Sequence, residues 1–141
     1  MGIQRFASAG LLLVGFVNLV SSVAGGAGVL LTNGLGMPMS WLDGTPFDSY
    51  LWPGVILLAV VGGTQALAVV LQLRRSRFAC AAAAVAGFGM IIWIYVEVTI
   101  LPFFHWLQPT FFATGTVQVV LALLALGALP ARAQHNPGRA A

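Results

Sequence analysis

Four long apolar runs divide this chain of 141 residues: roughly Ala7 to Leu31, Tyr50 to Leu73, Phe78 to Leu101 and Thr110 to Leu129. Each is about 20 residues or more, and at a rise of about 1.5 Å per residue a helix of that length matches a hydrocarbon slab about 30 Å thick. Lipid offers no partner to a bare amide, so segments of this kind satisfy their backbone internally as helices. The balance of 60% hydrophobic to 6% charged residues is one that water does not keep dispersed. The pattern predicts an all-α membrane protein, an antiparallel bundle of four transmembrane helices with one long outer loop, forming a single domain over residues 1–141.

Charge orients the bundle. Arg5 precedes the first run, Arg74, Arg75 and Arg77 separate the second from the third, and Arg132 and Arg139 follow the fourth, whereas Asp43 and Asp48 both fall in the first connection. Arg and Lys collect on cytoplasmic flanks, so both termini and the 131–141 tail are expected in the cytoplasm. The absence of Lys beside abundant Ala, Gly, Val and Arg is the composition of a GC-rich bacterial genome, which makes the membrane a bacterial plasma membrane. Net charge +3 is strung along segment ends rather than gathered on one face. That distribution argues against nucleic acid and for contact with anionic lipid headgroups. Arg5, the stretch Leu11 to Val20 and Ser22-Val23-Ala24 also have the form of a signal peptide. The run continues apolar past that site, which favours an uncleaved first helix.

The connections constrain packing. Arg74-Arg75-Ser76-Arg77 leaves the second and third helices no option but to lie as antiparallel neighbours. Between Pro102 and Pro109 the chain turns tightly again, the first proline ending one helix and the second suiting the opening turn of the next. Only Thr32 to Ser49 is long. Its Asn33-Gly34, Gly36, Pro38, Asp43-Gly44 and Pro46 punctuate turns around Met37, Met39, Trp41, Leu42 and Phe47, so the segment is expected to lie on the membrane or cap the bundle. Trp41, Tyr50, Trp52, Phe103, Phe104 and Trp106 map to the outer interface as an aromatic belt. Small residues at four-residue spacing, such as Ala79, Ala83 and Gly87, predict close helix packing, either within the bundle or between copies.

Glu97 is the only acidic residue inside a run, and intramembrane carboxyls are costly to keep. It lies about 6 Å from the outer end of the third helix, within reach of Trp106, His105 or Thr114. Trp93 lies about 12 Å down the same helix and needs a partner for its indole N–H. Thr114 is near the level of Glu97, Asn18 and Gln118 are near the midplane and Gln65 is deeper still. With Thr64, Ser21, Ser22 and Thr116 these residues are candidates to line one interior ligand or proton path, although each amide alone is equally well explained as an interhelical hydrogen bond. His105 and His135 are expected at opposite ends and cannot share a metal or haem. The single cysteine, Cys80, permits no Cys-x-x-Cys pair, which excludes four-helix quinone-linked thiol oxidases. No nucleophile elbow or triad pattern is present, so neither cofactor, metal nor catalytic residue is expected.

Pro46-Phe47-Asp48-Ser49-Tyr50-Leu51-Trp52-Pro53-Gly54, the Gly62-Gly63 pair, and Trp106-Leu107-Gln108-Pro109 followed by Phe111, Phe112 and Gly115 resemble a set of small uncharacterised four-helix bacterial membrane proteins. The resemblance spans the last three helices and implies a fold without an activity. Small multidrug transporters share the span count and a lone membrane Glu, but theirs is in the first helix of a shorter chain. Two functions are compatible with these residues. One is a non-catalytic accessory or assembly subunit, or holder of a lipid-like molecule beneath the outer loop; the other is a small proton-coupled transporter using Glu97. Membrane lipids, and a second copy or a larger membrane complex, are the expected partners.

Overall fold

The computed structural model describes residues 2–127, in which every regular element is a helix. Helix α1 is Gly2–Thr32, α2 Leu51–Leu73, α3 Ala79–Ile100 and α4 Leu107–Ala125, each long and apolar enough to cross a membrane. A short 3₁₀ turn, Met39–Leu42, lies in the connection between α1 and α2. Helix α1 packs on α2 and α4, and α3 packs on the same two helices. The start of α1 meets the end of α2, where Gln72 Nε2 donates to the Ser8 carbonyl at 3.1 Å. Arg5, Arg74, Arg75 and Arg77 therefore share one end of the molecule, and the 33–50 connection caps the other.

Two helices differ in extent from the runs. Helix α1 starts at Gly2 rather than Ala7, because nothing in Ile3-Gln4-Arg5-Phe6 interrupts a helix. Helix α4 starts at Leu107 rather than Thr110. Pro109 is its third residue, where a missing N–H costs nothing because the first four have no intrahelical acceptor. It ends at Ala125 and not at Leu129, since Gly127 turns to φ 73°, the left-handed step that closes helices. Residues 128–141, including the tail, Arg132, His135 and Arg139, lie outside the described residues.

The interior is built mostly of small apolar residues with a few buried polar ones, and the exterior is large and apolar. Helix α1 buries Ala7, Leu11, Gly15, Asn18, Ser22, Gly26 and Val29, and α3 buries Ala79, Ala83, Ala86, Gly87, Met90 and Ile94. Leu13, Phe16, Val60, Val85, Phe88, Ile92, Val117 and Leu123 point outward. A solvent of hydrocarbon selects this arrangement, because it removes the penalty for exposed apolar side chains and leaves close backbone approach and hydrogen bonds to join helices. Two approaches are backbone on backbone. A Cβ on Gly26 would stand 2.7 Å from Leu58 N, and one on Gly87 would stand 2.9 Å from the Gly115 carbonyl oxygen. The first falls where α2 widens into a π-helical stretch, Ile56–Val61, a feature often found beside functional sites.

Candidate functional site

The 33–50 connection folds into a cap through its own hydrogen bonds. Gly34 N–H donates to the Val29 carbonyl at 2.9 Å and Leu35 N–H to Thr32 Oγ1 at 2.7 Å, finishing α1. Tyr50, 2% exposed, donates its hydroxyl to the Pro38 carbonyl at 2.8 Å, and with Val29 and Leu42 it forms a small apolar cluster flanked by Met37 and Phe47. Tyr50 is thus a buried strut and not part of an aromatic belt. Trp41 reaches across to the α3–α4 turn, stacking on Phe103 with ring centroids 3.9 Å apart. Trp52, Phe104 and Trp106 stay exposed.

Beneath this aromatic roof lies a cavity of about 520 Å³, within the size range of small-molecule sites. Its walls are mainly apolar: Val29 from α1, Leu57 from α2, Met90, Trp93, Ile94 and Ile100 from α3, and Phe111 from α4, below Met37, Trp41, Leu42 and Phe47. Apart from the Tyr50 hydroxyl and the Trp41 and Trp93 indoles, its polar side chains are Glu97, Gln108 and His105 near the rim and Ser21 and Ser22 at the floor.

At the rim, Gln108 is 2% exposed and holds Glu97 in place. Its Oε1 accepts the His105 backbone N–H at 3.0 Å, which leaves Nε2 to donate to Glu97 Oε1 at 3.4 Å. The expected neighbours of Glu97 do otherwise. Thr114 spends its hydroxyl on the Phe111 carbonyl at 3.0 Å, Trp106 is 65% exposed, and His105 Nδ1 accepts from Leu107 N–H at 3.3 Å. Trp93 lines the cavity one turn below the carboxyl.

Below the floor, three amides from three helices meet. Gln118 Nε2 donates to Gln65 Oε1 at 2.9 Å, Gln65 Nε2 donates back to Gln118 Oε1 at 3.1 Å, and Asn18 Nδ2 donates to the same Gln118 oxygen at 2.9 Å. Gln65 Nε2 also reaches the Ala86 carbonyl of α3 at 3.2 Å, so the layer ties all four helices together. All three side chains are fully buried. Toward the arginine end, Leu11, Ala68, Ala83, Ala86 and Ala122 form an apolar core.

The predicted residues therefore separate into a rim, Glu97 with His105 and with Trp93 below it, and a sealed layer, Asn18, Gln65 and Gln118. They do not form one continuous path. Thr116 faces outward and bonds its own helix, as Thr64 does. Gln108 is the residue that sequence reasoning passed over. Its signal was slight, an amide in the first turn of α4 opposite the end of the helix that carries Glu97. Among the described residues no group of three His, Cys, Asp or Glu side chains is placed to hold a metal. No protein-family model, curated protein sequence or solved structure matches the chain.

Proposed function

We propose that this chain is a four-span plasma-membrane protein, an antiparallel bundle with both termini cytoplasmic and the 33–50 loop outside, which holds a lipid-like molecule in the cavity under that loop. The observation that carries the reading is the cavity itself. It is roofed by aromatic residues, walled mainly by apolar ones and carries its few polar side chains chiefly at rim and floor, the lining that binds an apolar molecule and orients it by a few hydrogen bonds. The amide layer supports holding over carrying, because passage toward the arginine end requires Asn18, Gln65 and Gln118 to part inside a low-dielectric core. The role proposed is a non-catalytic one.

The test is mild purification and native mass spectrometry of the intact protein. Wild type is expected to retain a bound amphiphile. Gly25→Leu, which adds bulk from the cavity wall where a Cβ meets only Leu57 Cδ2 at 3.4 Å, is expected to lose it with helix content unchanged. Equal retention by both proteins would overturn the proposal.

A further inference from the structure

Among the described residues two buried side-chain oxygens have no hydrogen-bond partner: Ser22 Oγ, in the cavity floor, and Asn18 Oδ1, one helical turn beneath it on the same face of α1 and below the cavity lining. Asn18 already gives its Nδ2 to Gln118, so its oxygen is held by the amide layer and has no freedom to turn elsewhere. Ser22 is 2% exposed and the hydroxyls of Thr32, Thr99, Thr110 and Thr116, all on helices, bond a carbonyl four residues back. Ser22 does not. A buried hydroxyl and a buried amide oxygen left unpaired are a standing cost unless something arrives to satisfy them.

We infer that the cavity floor is a binding site for the hydroxyl group of an apolar alcohol, which lies with its polar end down at Ser22 and its hydrocarbon body up against Leu57, Met90 and Ile94. The complementarity is specific. The Ser22 hydroxyl offers both a donor and an acceptor, and a hydroxyl on the ligand can answer either. An ether can only accept from Ser22, whereas an alcohol can accept and also donate to it. A water molecule has the same chemistry, but it leaves the apolar walls above it unfilled. An alcohol brings its own hydrocarbon to those walls. This inference rests on the holder reading and assigns the class of molecule held.

The experiment titrates the full-length protein in phosphatidylcholine nanodiscs with dodecanol, dodecyl methyl ether and dodecane, each referred to its concentration in the bilayer. Tryptophan emission reports occupancy, since Trp41 and Trp93 line the cavity. Dodecanol is expected to bind at least about tenfold more tightly than dodecane, with the ether between them, as one good hydrogen bond in a dry site provides. Ser22→Ala is expected to reduce that preference to within about threefold, while raising the melting temperature of the ligand-free protein because an unpaired buried oxygen is gone. Those opposed signs separate a ligand contact from a structural one. Ser22→Thr keeps the hydroxyl and should keep the preference. Equal affinity for dodecanol and dodecane in the wild type, or an undiminished preference in Ser22→Ala, overturns the inference while leaving an apolar cavity standing. Binding of none of the three overturns the holder reading beneath it as well.

Discussion

At the scale of single residues, Gln108 decides the state of the rim. Its carbonyl is committed to the His105 N–H and its amino group to Glu97, so Gln108→Leu strands a backbone donor and a carboxyl together. The expected cost is about 1–3 kcal/mol for each group left unpaired in a site that water cannot enter freely. Glu97→Gln should be milder, since the new amide still presents an oxygen to Gln108. Thermal unfolding in mild detergent checks both, and a Gln108→Leu protein as stable as wild type would mean that water replaces the side chain. Tyr50 carries a second prediction. Burial raises its phenol above the ordinary value of 10.0, so the folded protein holds that proton more firmly than the unfolded chain. The associated stability is complete below about pH 10 and is lost as pH rises through the raised value. The cap should therefore loosen in strong alkali, as phenolate absorbance rises with Trp41 emission changing in step. In Tyr50→Phe, which also lacks the bond to Pro38, that alkaline step should be absent.

At the scale of elements, contacts between backbones set the helix spacing, and glycines mark where. Gly26→Ala drives a methyl group to 2.7 Å from Leu58 N, and backbone cannot turn aside as a side chain would. The helices must separate along the π-helical stretch, at an overpacking cost of about 1–3 kcal/mol. Gly63→Ala is the control. A Cβ there meets nothing within 4 Å, and the same change should stabilise α2 by about 0.5–1 kcal/mol through helix propensity alone. Opposite shifts in melting temperature are the expected outcome; a drop in both would mean that Gly63 faces a second copy of the chain. The rows of small residues were visible in the sequence, but which row meets which neighbour was not. Leu, Val and Ala occupy every side of these helices, so hydropathy carries no inward face. Burial instead follows size, as along Ala79, Ala83, Ala86 and Gly87.

At the scale of the whole molecule, the arginines Arg5, Arg74, Arg75 and Arg77 share one end while Asp43, Asp48 and Glu97 lie toward the other. By the positive-inside rule this is the basis of the proposed orientation, with the cap outside. Asp48 is exposed, so Asp48→Cys on a Cys80→Ala background should react with a membrane-impermeant maleimide added to intact cells. Reaction only after the cytoplasmic face is opened would invert the molecule and with it the side from which the cavity is reached.

The number of apolar helices, their approximate extents and the presence of a lone carboxyl near one end are legible in the sequence. These follow from length, hydropathy and the rarity of charge in an apolar run, all local properties of the chain. It also marked Asn18, Gln65 and Gln118 as buried amides without distinguishing a path from a seal. That distinction belongs to tertiary structure, because three amides on three helices become a closed layer only once the helices are rotated to face one another, and rotation is set by glycine contacts that hydropathy does not register. The same holds for Gln108 and Ser22. The first acquires its role because the α3–α4 turn sets His105 beside it, and the second because the wall opposite it stands back and leaves a cavity where a partner would have been.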